Sequence, residues 1–206
     1  MLILSLDTAT DIATACVWRN GVALAESATR ARSVAAQRVL ADVDRLMDEA
    51  GVGPTDLDLI VAGTGPGTFT GLRIGIAAAR ALGFALRIPV RGVSTLDALR
   101  AGDGVDVACV DARRGEVFAA GHGLAVQAIR PEALADALGP GTVCAGDGAI
   151  RYRDRLDGLK IPADGSPLHI PWARHHAALA ETAGPPEPLY IRAPDADRAL
   201  AARAAS

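Results

Sequence analysis

Short apolar runs broken by Gly, Pro, Asn and Asp alternate along the chain with stretches of helical periodicity, the rhythm of strands interleaved with helices. Residues 2–6 form an apolar run that closes on Asp7. Residues 13–18 and 22–27 flank Asn20-Gly21, a dipeptide that accepts the positive φ angles of a tight turn, so a strand followed by a hairpin is predicted. Ser33 is placed to cap a helix reaching about Ala50, because Val39, Leu40, Val43, Leu46, Met47 and Ala50 recur at helical spacing and Gly51 supplies the stop. Asp44, Arg45, Asp48 and Glu49 fall on its other face. Residues 59–62 predict a buried strand, the loop Gly63-Thr-Gly-Pro-Gly-Thr-Phe-Thr-Gly71 follows, and a second helix is predicted over about 72–86. Ile88-Pro89 ends it, residues 90–93 predict a strand, and Ser94-Thr-Leu-Asp97 is a capping box opening a short helix to Arg100.

From residue 105 the pattern starts again. Leu4-Ser-Leu-Asp7-Thr-Ala9 and Ala108-Cys-Val-Asp111-Ala-Arg113 are each an apolar strand ending in Asp at a turn, and residues 116–120 supply the second strand of the later hairpin. This predicts a duplicated α/β architecture with a boundary at Ala101-Gly-Asp-Gly104, dividing the chain into 1–100 and 101–206. Further on, residues 131–138 predict a helix, 142–145 a strand and 173–183 another helix. Pro185-Pro-Glu-Pro188 is a rigid connector before an Ala/Arg tail.

Composition narrows the partners. The 206 residues carry 21 Lys plus Arg against 24 Asp plus Glu, and half are hydrophobic, as in a soluble chain of one or two small domains. Residues 1–100 hold 10 basic and 10 acidic side chains and the remainder 11 and 14, so unaided binding of nucleic acid is not expected. Cys16, Cys109 and Cys144 form no CxxC pair and fit a reduced, cytoplasmic compartment. The start lacks a basic n-region, and no window approaches about 18 uninterrupted apolar residues, so no membrane association is expected.

Several residues invite chemistry. The glycine loop lies between a strand and a helix N-terminus, where backbone N–H groups can meet a phosphate, yet it matches neither a Walker A loop nor G-x-G-x-x-G. A tight, Pro-braced turn whose glycines permit close packing is the favoured reading. Asp7 and Asp111, at strand ends, are weak candidates for holding a metal-bound nucleotide, against the plainer role of capping a turn. His175 and His176 are adjacent, His122 and His169 are isolated, and no HxxxH, HExxH or G-x-S-x-G occurs. The second helix is apolar nearly all round except for Arg73, Arg80 and Arg87, one every seven residues, so a partner covering both helices competes with complete internal burial.

The string Gly65-Pro-Gly-Thr-Phe-Thr-Gly-Leu-Arg-Ile-Gly75, with Leu4-Ser-Leu-Asp7-Thr-Ala9 before it and Gly92-Val-Ser-Thr-Leu96 after it, resembles the TsaB (YeaZ) family. Asp111-Ala-Arg-Arg-Gly-Glu116 and Pro188-Leu-Tyr-Ile-Arg-Ala-Pro-Asp195 extend the likeness over nearly the whole chain. The resemblance implies the actin-like ATPase (ASKHA) fold, two related α/β domains with mixed sheets. It further implies a role in making N6-threonylcarbamoyladenosine in tRNA, as a non-catalytic scaffold or activator that forms a heterodimer with a catalytic TsaD-type paralogue. A TsaE-type ATPase joins that assembly, tRNA is reached only through the complex, and ATP and metal are handled by the partners, so no cofactor is expected here. The implied interface is the two N-terminal helices, with Leu40, Val43, Met47, Leu72, Arg73, Ile76 and Arg80 as its residues. The stretch matching the paralogue's HxxxH metal motif, Ser33-Val-Ala-Ala-Gln-Arg38, has no histidine. The alternatives are an ATP-dependent kinase or phosphotransferase of the same fold, resting on Asp7 and Asp111, and a metallopeptidase-like protein. Self-association as a homodimer in isolation stays open.

Overall fold

The computed structural model describes residues 1–30 and 35–191. The opening run forms β1 (Leu2–Asp7), and Asn20 and Gly21, with φ of 50° and 90°, turn β2 (Ile12–Arg19) into β3 (Val22–Arg30). Then come α1 (Ala35–Ala50), β4 (Leu59–Gly63), α2 (Phe69–Leu86), β5 (Val90–Val93) and α3 (Thr95–Arg100). The second series is β6 (Val107–Asp111), β7 (Val117–Gly121), β8 (Leu124–Ile129), α4 (Pro131–Ala137), β9 (Cys144–Ala145), α5 (Asp147–Arg151) and α6 (Ala173–Ala178). Ser33, the predicted cap, and the tail from residue 192 lie outside the described residues.

Both sheets are mixed. The first has the order β3-β2-β1-β4-β5, with an antiparallel meander on one side of β1 and parallel strands on the other. The second repeats this as β8-β7-β6-β9, antiparallel from β6 to β8 and parallel from β6 to β9. The duplication read from the two strand-Asp patterns is therefore a repeat of topology, with β1 and β6 in equivalent places.

Each sheet is covered on both faces, which explains the unbroken apolar runs of its central strands. One face of the first sheet packs Leu4, Leu6, Val17 and Ile60 against Val43, Leu46 and Met47 of α1 and Ile76 and Ala79 of α2. Its other face packs Ile3, Val61 and Val93 against Ala177 and Ala180, supplied from the far end of the chain. The second sheet lays Ala108, Val110 and Phe118 on Leu96 and Leu99 of α3, and Val107, Cys109 and Val117 on Leu134, Ala149 and Leu156. Fully burying a leucine of this kind contributes about 1.5–3 kcal/mol, so these layers carry the fold.

Several boundaries differ from expectation for local reasons. α2 begins at Phe69, three residues early, because Thr68 already takes the extended conformation of a cap. It ends at Arg87, which adopts φ 58° while the Ile88 N–H reaches back to the Gly83 carbonyl. At α3 the Ser94 hydroxyl accepts from the Leu96 and Asp97 N–H groups, as its sequence predicts. The helix expected over 173–183 breaks after Ala178 into a 3₁₀ turn at Ala180–Thr182, and the strand expected over 142–145 shortens to Cys144–Ala145. Among the described residues α2 alone has the length and hydropathy of a membrane span, but it carries Arg73 and Arg80 and lays Ile76 and Ala79 on the sheet.

Candidate functional site

Two strand ends and one helix face hold the candidate residues. At the end of β1 the Asp7 carboxylate is wholly buried, which requires partners for its charge. Its Oδ1 accepts from the Ala9 N–H at 2.6 Å, closing the turn, and its Oδ2 accepts from the Thr95 hydroxyl at 2.7 Å. The third partner is His176 of α6, also wholly buried, whose Nε2 lies 2.9 Å from Oδ2. The ring's Nδ1 faces the Trp172 carbonyl at 3.2 Å, so both ring nitrogens meet oxygen atoms. Burial alone would raise the Asp7 carboxyl; the bond and charge of His176, with Ala9 and Thr95, hold it below its ordinary value.

The glycine loop closes over this turn. A Cβ on Gly67 would collide with the Ala9 carbonyl and one on Gly71 with the Thr8 carbonyl, so glycine is what lets the two loops interlock. The Thr68 N–H donates to Ala9 and the Gly65 N–H to the Thr95 hydroxyl, while the Thr8 hydroxyl donates to the Gly71 carbonyl. The Gly65 and Thr68 donors of the loop are thus spent inside the protein. The fold implies a metal-bound nucleotide between its halves, and Asp7 does not fit one, because its carboxylate is shut from solvent and engaged by the Ala9 N–H, the Thr95 hydroxyl and His176. Among the described residues no group of three or more His, Cys, Asp or Glu side chains is placed to hold a metal ion.

Asp111 ends β6 in the same way, with its Oδ1 accepting from the Arg113 N–H at 2.8 Å. Arg113 and Arg114 then take φ of 61° and 56°, an uncommon left-handed pair that turns the chain into β7. Here the remaining partners stand at the rim. Tyr152 donates its hydroxyl to Asp111 at 3.2 Å, and Arg113 and Arg151 pair with it at 3.1 and 3.5 Å. Behind it Asp147, at the start of α5, accepts the Asp111 N–H at 2.9 Å. Burial, together with the charges of Asp111 and Asp11, pushes the Asp147 carboxyl up to about 6. Turn capping is realised at both candidate aspartates.

The helix face corrects part of the expected interface. Val43, Met47, Leu72 and Ile76 are buried in the chain's own core, because at 3.6 residues per turn they share the sheet-facing stripe with Leu46, Gly75 and Ala79. Leu40, Arg73 and Arg80 do lie outside, Leu40 half exposed. The outer line of α2 runs Phe69, Arg73, Ala77, Arg80, Ala81 and Phe84, with Phe84 89% exposed. Sequence reasoning counted Phe84 among the apolar residues of α2 without separating it from the core; the spacing of the glycines, which mark the sheet side, was the available signal. His176 left no signal, since its partner lies 169 residues away.

The family described as tRNA N6-adenosine threonylcarbamoyltransferase (TsaD) matches residues 26–145. An uncharacterized protein of Mycobacterium tuberculosis is 38% identical over 200 residues, covering 94% of this chain and 93% of the relative. The tRNA threonylcarbamoyladenosine biosynthesis protein TsaB of Escherichia coli is 37% identical over 124 residues, 57% of this chain and 53% of that protein. The solved structure of YeaZ from Pseudomonas aeruginosa superposes with a TM-score of 0.76 at 29% identity, covering 92% of this chain and 99% of that one.

Proposed function

The chain belongs to the TsaB (YeaZ) family, with an actin-like ATPase fold of two related α/β halves, and on that premise we propose that it is a non-catalytic subunit of tRNA N6-threonylcarbamoyladenosine synthesis. It acts by pairing the outer face of α1 and α2 with a TsaD-type paralogue, which performs the transfer. The observation that carries this reading is Phe84, almost fully exposed on a helix whose opposite stripe is core. A phenyl ring in that position costs hydration, and covering it on association contributes on the order of 2 kcal/mol. The enclosed Asp7 supports a subunit that leaves ATP and metal to its partners, a TsaE-type ATPase among them. The absence of a cationic excess supports contact with tRNA through the complex, in the cytoplasm.

The test is co-expression with the TsaD-type paralogue of the same organism, followed by size-exclusion chromatography and a threonylcarbamoyl-transfer assay with and without this chain. Co-elution and transfer that depends on the chain are expected. Phe84→Asp is expected to abolish co-elution while leaving the melting temperature unchanged, whereas Ile76→Asp unfolds the chain because Ile76 is core. Separate elution and transfer indifferent to the chain would overturn the proposal.

A further inference from the structure

At the N-terminal end of the α2 face, three side chains from two distant parts of the chain form one unit. Phe69 and Arg73 are one helical turn apart, and the guanidinium carbon of Arg73 sits 3.8 Å from the Phe69 ring centroid. Tyr190 stacks on Phe69 with centroids 5.8 Å apart and planes at 29°, and its hydroxyl accepts from Arg73 Nε at 3.2 Å. Tyr190 arrives there because the chain's later segment returns over the glycine loop. Gly184 and Gly92 exchange backbone hydrogen bonds, and the Leu189 N–H donates to the Thr64 carbonyl at 2.8 Å.

Arg73 is thereby held on its flat face and at Nε, while its paired Nη groups have no carboxylate among the described residues. Arg45, Arg100, Arg113, Arg151, Arg153, Arg155 and Arg174 each have one. Arg80 shares the exposed line, Arg87 closes the helix, and α2 itself contains no acidic residue. A planar fork fixed in this way, with little rotamer entropy left to lose, suits bidentate binding of a carboxylate.

We infer that Arg73 is a preformed site for a carboxylate of the partner protein, and that Tyr190 is the residue that positions it. The inference rests on the pairing proposed above and adds the chemistry that the partner must present: an Asp or Glu on the helix surface laid against the start of α2.

Titration calorimetry of the TsaD-type paralogue into this chain tests it. Arg73→Gln is expected to weaken binding about tenfold or more, and Arg73→Lys to recover only part of that, since an ammonium lacks the fork. Tyr190→Phe keeps the stack and loses the hydroxyl; a loss of about threefold is expected, and none in an Arg73→Gln background, a coupling that a merely structural tyrosine would not show. Substituting the paralogue's helix carboxylates one at a time by their amides is expected to reveal one that couples to Arg73. If Arg73→Gln binds as tightly as the unaltered chain while Phe84→Asp does not bind, the carboxylate site is wrong and the interface stands. Weakened binding that couples to no paralogue carboxylate, pointing instead to the chain's own Asp195 or Asp197 or to a second copy, also overturns it. If the unaltered chain fails to bind, the pairing itself falls, and this site with it.

Discussion

The same strand-Asp-turn is built twice in this chain, and the two copies are stabilised in different ways. Asp7 and Asp111 end equivalent strands, and each accepts the N–H two residues ahead. Asp7 then turns inward, to a hydroxyl and a buried imidazole. Asp111 turns outward, to a phenol and two arginines more than half exposed. The first arrangement pins α6 across the first sheet, with the Ser5 and Thr14 hydroxyls donating to the Ala173 and Pro171 carbonyls beside it. The second leaves its arginines, though not the buried carboxylate, where water screens them. One motif thus serves as an internal fastening in one half and meets a rim of exposed arginines in the other.

The largest expected effect strikes the fastening. His176→Ala strands a buried carboxylate and opens a cavity, and about 3–5 kcal/mol of stability should be lost in urea unfolding. The pH dependence follows from the direction of the Asp7 shift. Its carboxyl lies below the ordinary 3.8 in the folded chain, so its contribution is complete above that value and drains away as the pH falls through the folded one. In the variant, that acid loss should be absent or reversed. A loss under about 1 kcal/mol at pH 7 would break the contrast between the halves.

How much of this the sequence disclosed depends on range. The hairpin at Asn20-Gly21, the Ser94 cap, the stripe of α1 and the repeat around the two aspartates were legible because each is written within a few residues. β8 was not, since its weak alternation after Gly123 gives an edge strand little pattern, and α5 is too short to show a period. Asp7 and Asp111 were legible as turn caps, but their different surroundings were not, because His176, Thr95 and Tyr152 come from remote segments. The interface residues were half legible. Helical spacing identified two apolar helices, yet Leu72 and Ile76 are as apolar as Phe84, and only the glycines on the buried side, Gly75 and Gly83, hinted at which face is core.

Asp147 sharpens the second half of the comparison with a gain instead of a loss. Its carboxyl, raised from 3.8 to about 6 by burial and by neighbouring carboxylates, favours folding below the unfolded value and becomes a cost as the pH rises through the folded one. Two units correspond to roughly 3 kcal/mol at most. Asp147→Asn keeps an acceptor for the Asp111 N–H and removes the charge. A stabilisation of about 1–3 kcal/mol at pH 7 is expected, vanishing near pH 3.5. A variant no more stable at pH 7 would show that the Asp147 charge is already compensated.

The smallest effect is expected where the rim is most exposed. Arg151 pairs with Asp111 at 3.5 Å and its side chain is 57% accessible, while Asp111 keeps Arg113, Tyr152 and the turn N–H whether or not Arg151 is present. Arg151→Gln therefore removes one screened contact of several and leaves no buried charge alone. Its thermal unfolding should differ from that of the unaltered chain only slightly in dilute buffer and not at all near ~1 M salt, where screening acts within about 3 Å. His176→Ala should remain destabilised at the same salt, because the charge it strands is out of reach of ions. Equal salt sensitivity of the two variants would mean that Asp7 and Asp111 sit in one kind of environment, and the distinction between fastening and rim would go.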